Sequence, residues 1–182
     1  MTEILTKKRP LATERQEGGA QPMRVCFVCT GNTCRSPMAQ AVANALAAKK
    51  MTDYPLPIRE LMQPPVEAFS AGLYANDGEP IAQNAVSALE RAEVATVAAH
   101  DYHTHQAHTL TEAEAAQYDL LVGLSDSHVL ELLMRFPNLA GRIVRMPKPI
   151  SDPFGGDLAR YTSCLAEITE GVCQLLFAEA NA

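Results

Sequence analysis

Tryptophan is absent from the 182 residues, and only 20% of the side chains are charged. Yet 47% are apolar, and five tyrosines and five phenylalanines are present, so the chain can build one core and is not disordered as a whole. An excess of positive charge is also missing: 15 basic against 21 acidic side chains give −6, which argues against an electrostatic nucleic-acid or membrane binder. Any anion site must therefore be local. No apolar run approaches the roughly 18–20 residues of a transmembrane helix, and the opening MTEILTKKRP lacks the apolar centre of a signal peptide. These absences predict a soluble, cytoplasmic protein. The five cysteines are an odd number without the spacing of a secreted disulfide framework. Three of them, Cys26, Cys29 and Cys34, crowd into nine residues, as a metal site, a redox pair, a nucleophile or plain buried hydrophobes would.

Residues 1–22 mix charges with Pro10, Gly18, Gly19 and Pro22 and read as a mobile extension; residues 23–182 form the single domain. Val25-Cys26-Phe27-Val28 is a short apolar run that suits a strand buried on both faces. Ser36 stands as a possible N-cap before Pro37, and Met38, Ala41, Val42, Ala45 and Leu46 follow at helical spacing up to Lys49 and Lys50. A proline-rich stretch, 51–65, looks like an irregular connection. Further strands are expected at Val66–Ser70, Tyr118–Leu124 and Arg142–Met146. Helices are expected after Pro80, after the Thr111/Glu114 capping box, after a Ser125 cap (burying Val129, Leu132, Leu133 and Phe136), and from about Leu158 through Leu176. Strands alternate with helices. The fold expected is α/β: a doubly wound, four-stranded parallel sheet with helices on both faces and ligand sites beyond the carboxyl ends of the strands.

Between the first strand and the first helix lies Cys29-Thr30-Gly31-Asn32-Thr33-Cys34-Arg35-Ser36-Pro37, where such a fold offers an anion site. A loop curling into a helix start aims several backbone N–H groups at one point, and Gly31 can supply the left-handed turn of an anion nest. Arg35 adds a planar, permanently charged fork. A cysteine at the centre of this cup feels the helix dipole and the guanidinium, both of which favour thiolate. Cys29 is the candidate. Beneath a bound phosphoryl group its sulfur is placed for in-line displacement.

VCFVCTGNTCRSPMA closely resembles the signature VCxGNxCRSPMAE of the low-molecular-weight protein tyrosine phosphatases, and the similarity extends over about residues 24–178. Ser70-Ala71-Gly72 resembles that family's second-strand motif, His105-Gln106-Ala107-His108-Thr109-Leu110-Thr111 its HxARQ[LV]T segment, and Asp119–Val122 leading to His128 its third strand and following helix. Asp152-Pro153-Phe154-Gly155-Gly156 resembles its DP[FY] loop. The resemblance implies Cys29 as nucleophile, Thr30 to Ser36 as the phosphate-binding loop with Arg35 as clamp, Ser36 as donor to the thiolate, Asn32 as brace and Asp152 as general acid. Ser70 and His105 are implied as a supporting shell; His108 replaces the arginine of the family segment and is not carried over. A phosphorylated protein is the implied substrate, with no cofactor and no metal. Thr33, with a single Phe154 and two glycines, looks more like the branch that dephosphorylates phosphoarginine than the phosphotyrosine branch. A threonine hydroxyl can accept from a guanidinium N–H, as a branched aliphatic side chain cannot, and Phe154 can stack on either substrate.

Two rival classes share parts of this pattern. Arsenate reductases of a related type share the loop but relay electrons through two further cysteines, and none lies between 35 and 163 here. Cys164 and Cys173 are expected to pack. A metal module would use His100, His103, His105 and His108 with the upstream cysteines, but no zinc-type spacing links them. A phosphoprotein-binding module without turnover remains the third reading. Cys34, five residues from Cys29, is a candidate to protect it through a reversible disulfide.

Overall fold

The computed structural model describes residues 21–53 and 65–178. The extension expected for 1–22 therefore falls outside the described residues apart from its last two, and so does most of the proline-rich stretch. Four strands, β1 (Met23–Cys29), β2 (Val66–Gly72), β3 (Leu120–Gly123) and β4 (Ile143–Arg145), form one sheet in the order β2-β1-β3-β4. Every pairing is parallel, with Cys29 opposite Gly72 and Val28 opposite Gly123. Around the sheet lie α1 (Arg35–Thr52), α2 (Gln83–Arg91), the single turn α3 (Glu112–Ala115), α4 (Asp126–Arg135) and α5 (Leu158–Leu176).

Alternation along β1 divides the interior into two layers. Val25, Phe27 and Cys29 face a core made with α1, α2 and α5, which includes Met38, Leu89, Tyr161 and Ile168. Cys26 and Val28 face the opposite core, with Ala115, Leu121, Leu132 and Phe136. A strand covered on both sides must be apolar throughout. The expected doubly wound fold is thus the observed one. Strand order reverses between β1 and β3, so a crevice opens beyond their carboxyl ends, where the 29–36 loop runs.

Several boundaries differ from the sequence expectation. Ser36 does not cap α1: the helix begins two residues earlier than expected, at Arg35, with Cys34 at the cap position and no side-chain cap. Its first turn is closed by Met38 N–H donating to Cys34 C=O at 3.2 Å, which leaves the Ser36 hydroxyl free for the loop. The second helix starts at Gln83 rather than at Pro80, because Pro80 is occupied in an antiparallel bridge with Gln106. Leu133 is exposed, not buried, since the short α4 turns only its Leu132 side fully into the core. Thr111 and Ser125 do cap, accepting from Glu114 N–H and His128 N–H. The Glu114 carboxylate instead takes His108 Nε2 and the Tyr118 hydroxyl.

One polar side chain on α1 was not singled out by periodicity. Asn44 is buried and exchanges two hydrogen bonds of 2.9 Å with the backbone of Ala68, tying the helix to β2.

Candidate active site

The 29–36 loop leaves β1 and is clamped at once by the strand beside it. Leu73 N–H donates to Cys29 C=O at 2.9 Å and Tyr74 N–H to Thr30 C=O at 2.9 Å. Gly72 makes this approach possible: a Cβ there would lie 2.8 Å from Thr30 O and 3.2 Å from Asn32 Cβ. On the other side Ala82 N–H donates to Thr33 C=O at 2.8 Å, and the Thr30 hydroxyl meets His128 Nε2 at 3.0 Å.

Asn32, not Gly31, takes the left-handed conformation, with φ 57°. Asparagine tolerates that region when its amide is satisfied locally, and here all of its polar groups are used. Nδ2 donates to Ser36 Oγ and to Ser70 Oγ, each at 3.0 Å, and Oδ1 accepts from His108 N–H at 3.1 Å. The Asn32 carbonyl accepts from His105 Nε2 at 2.8 Å. A carbonyl only accepts, so Nε2 carries the His105 proton. Burial holds the His105 pKa below its ordinary value, consistent with a neutral ring.

Cys29 Sγ lies 3.0 Å from Ser36 Oγ, and Cys29 is only 3% exposed. It lines a cavity of about 330 Å³ together with Thr30, Gly31, Thr33, Cys34, Arg35, Asp152 and Phe154. The expected nucleophile and clamp thus open onto one space with the expected acid, which lies more than a hundred residues further along the sequence. Arg35 Nη2 donates to Asp152 Oδ2 at 2.8 Å, from a guanidinium that is almost wholly buried to a carboxylate that is half exposed. Phe154 stands at the rim, 76% exposed, while Thr33 is set into the wall at 9%. Phe154 N–H donates to Asp152 Oδ1 at 3.2 Å, so the Asp-Pro-Phe turn also orients the carboxylate.

Of the other cysteines, Cys34 shares the cavity, while Cys26 and Cys164 do not line it. Cys26 faces the far core, and burial holds its thiol well above the usual range. Cys34 is free and also lines the cavity, its sulfur 3.1 Å from the Tyr161 hydroxyl. Burial pushes the Cys164 thiol up to about 12. The histidines do not converge. His100 pairs with Glu67, His103 with Asp101 and Glu90, and His108 with Glu114.

Sequence reasoning missed Tyr74, Asn76 and Glu79, which complete the cavity wall. Their signal was positional, since they follow directly on the carboxyl end of β2. It also missed Gln40, whose Oε1 accepts from Ser70 Oγ at 2.6 Å; four residues after Ser36 on the same helix, it was within reach of an i,i+4 argument.

The low molecular weight phosphotyrosine protein phosphatase family matches residues 24–182. The chain belongs to that family. Among its relatives, a protein-arginine-phosphatase of Bacillus subtilis (strain 168) is 28% identical over 160 residues, covering 84% of this chain and 94% of that one. A low molecular weight protein-tyrosine-phosphatase of Streptomyces coelicolor is 32% identical over 169 residues, covering 85% and 92%. Among solved structures, a low molecular weight protein tyrosine phosphatase from T. tengcongensis superposes with a TM-score of 0.71 at 31% identity, covering 84% of this chain and 97% of that one. This phosphatase therefore keeps the family fold around a cysteine-containing loop after its first strand.

Proposed function

We propose that the phosphatase hydrolyses phosphoarginine in proteins through a phosphocysteine intermediate, with Cys29 as nucleophile, Arg35 as phosphate clamp and Asp152 as general acid and base. The observation that carries the reading is the shared cavity onto which these three side chains and Thr33 open. A phosphoryl group entering it would draw Arg35 from Asp152 onto two equatorial oxygens, with loop N–H groups on the same charge. The Cys29 thiolate, held by the Ser36 hydroxyl, attacks phosphorus; the P–N bond breaks, and protonated Asp152 gives its proton to the leaving nitrogen. Water then attacks the phosphocysteine and passes a proton to the Asp152 carboxylate. The S–P bond breaks, restoring the thiolate and releasing phosphate.

The lean toward phosphoarginine over phosphotyrosine rests on Thr33. Thr33 lines the wall, its hydroxyl 3.6 Å from Cys34 Sγ and with lone-pair capacity to accept a guanidinium N–H, and Phe154 at the rim offers a face to stack on. The Bacillus subtilis relative carries the arginine-phosphatase name, while other relatives are named tyrosine phosphatases, so the relatives alone do not decide. Turnover numbers on matched phosphoarginine and phosphotyrosine peptides test the point. The wild type should favour phosphoarginine, and Thr33→Ile should reverse or erase the preference. A tyrosine preference unchanged in Thr33→Ile would overturn it.

A further inference from the structure

The hydrogen bonds around Asn32 have a direction, and that direction ends at Gln40. The Asn32 amide is oriented by the His108 N–H that donates to its Oδ1 at 3.1 Å, so Nδ2 is the donor toward both Ser36 and Ser70, at 3.0 Å each. Ser70 Oγ, having accepted one of these hydrogens, must send its own proton elsewhere. It goes to Gln40 Oε1 at 2.6 Å. Ser36 Oγ has likewise spent a lone pair on Asn32, and its proton has two acceptors within reach: Cys29 Sγ at 3.0 Å and Ala71 C=O at 3.4 Å. The shorter contact, and the one a thiolate strengthens, is to sulfur.

We infer that Gln40 is a positioning residue for the reaction: by taking the Ser70 proton its side-chain oxygen leaves a Ser70 lone pair for Asn32 Nδ2, and so helps hold in place the amide whose other hydrogen goes to Ser36 beside the Cys29 sulfur. This rests on Cys29 being the nucleophile. A donor at position 40 would turn the Ser70 proton back toward Asn32 Nδ2, setting two hydrogens against each other. An apolar group there would leave the Ser70 proton without its acceptor and free to turn, so that the Ser70 lone pair is no longer held toward Asn32 Nδ2. Gln40 does not touch the catalytic cavity. It lines a separate one of about 180 Å³ behind the loop, beside His105, which holds the same Asn32 through its carbonyl. Two residues of that rear cavity therefore bear on Asn32, His105 directly and Gln40 through Ser70.

Gln40→Met removes the acceptor at similar volume, and Gln40→Glu keeps one. Alkylation of Cys29 by iodoacetamide, followed on the peptide that carries Cys29, reads the sulfur without requiring turnover. In Gln40→Met the pH profile of alkylation should move to higher pH. kcat on a small aryl phosphate should fall by about 5-fold, the size of one ordinary hydrogen bond, with KM nearly unchanged. Gln40→Glu should recover most of both effects. If Gln40→Met does not fold, Gln40→Lys, which puts a donor at the same place, should show the same upward displacement. An alkylation profile that coincides with wild type in the folded apolar or donor variant overturns the inference, as does a loss equal in Gln40→Glu. Failure of the nucleophile assignment would be recognised separately, by turnover surviving in Cys29→Ser.

Discussion

Asp152 carries the assignment most exposed to challenge. It is half exposed and held to Arg35 at 2.8 Å, so as the proposed acid it would have to exchange a guanidinium for a leaving group when substrate arrives. Asp152→Asn removes the transferable proton while leaving the size of the side chain. Its turnover should drop roughly 100- to 10,000-fold, typical of lost acid catalysis, and the loss should be smaller for substrates whose leaving group needs no proton. Equal losses for good and poor leaving groups would assign Asp152 a merely structural part. At this scale the sequence was informative about which side chains the fold brings to one cavity, Cys29, Arg35 and Asp152 among them. It was misleading at Gly31, because glycine is the default guess for a left-handed turn. The structure gives that turn to Asn32, whose side-chain amide finds three partners, from 36, 70 and 108, with 105 on its backbone carbonyl. Such long-range satisfaction is invisible to local propensity.

Among the elements, β2 is what gives the loop its shape. Gly72 lets the strand end run under Thr30 and Asn32, and a methyl group there would sit 2.8 Å from Thr30 O and 2.9 Å from Ala75 Cβ. Backbone and a short side chain cannot swing away as a long flexible side chain could, so Gly72→Ala should destabilise by about 1–3 kcal/mol. It should also weaken inhibition by inorganic phosphate, as the cup of N–H groups opens. Urea denaturation and phosphate inhibition constants check both parts; a stable variant with unchanged phosphate affinity would show that the loop is shaped elsewhere. The strand–helix alternation was legible because both-face burial leaves uninterrupted apolar runs in β1 and β3. Element ends were less so. Pro80 lies in a bridge to Gln106, and the Ser36 hydroxyl is engaged by Cys29 Sγ and Asn32 Nδ2, so tertiary partners decided what local signals had suggested otherwise.

For the molecule as a whole, net charge and titration set the working range. With −6 overall, phosphate attraction must come from Arg35 and the loop rather than from a global field. Among the described residues no helix is long and apolar enough to cross a membrane. Burial, reinforced by the Arg35 charge, holds His128 down to about 4 against an ordinary 6.5, and burial lowers His105 as well. A lowered folded value means that the unfolded chain takes up protons the native state refuses. The stability the neutral His128 ring contributes is therefore complete above about pH 6.5, declines as pH falls, and is lost by about pH 4, and the lowered His105 acts in the same direction. Thermal midpoints across that window should fall, and His128→Gln should flatten the fall; a slope identical to wild type would remove His128 as its source.

Covalent capture addresses the nucleophile itself. Wild-type and Asp152→Asn protein mixed with a phosphorylated substrate, quenched within milliseconds and mapped by mass spectrometry should carry phosphate on the sulfur of Cys29, formed and discharged at rates consistent with turnover. Phosphate on another residue, or full turnover with the Cys29 sulfur never modified, would contradict the account.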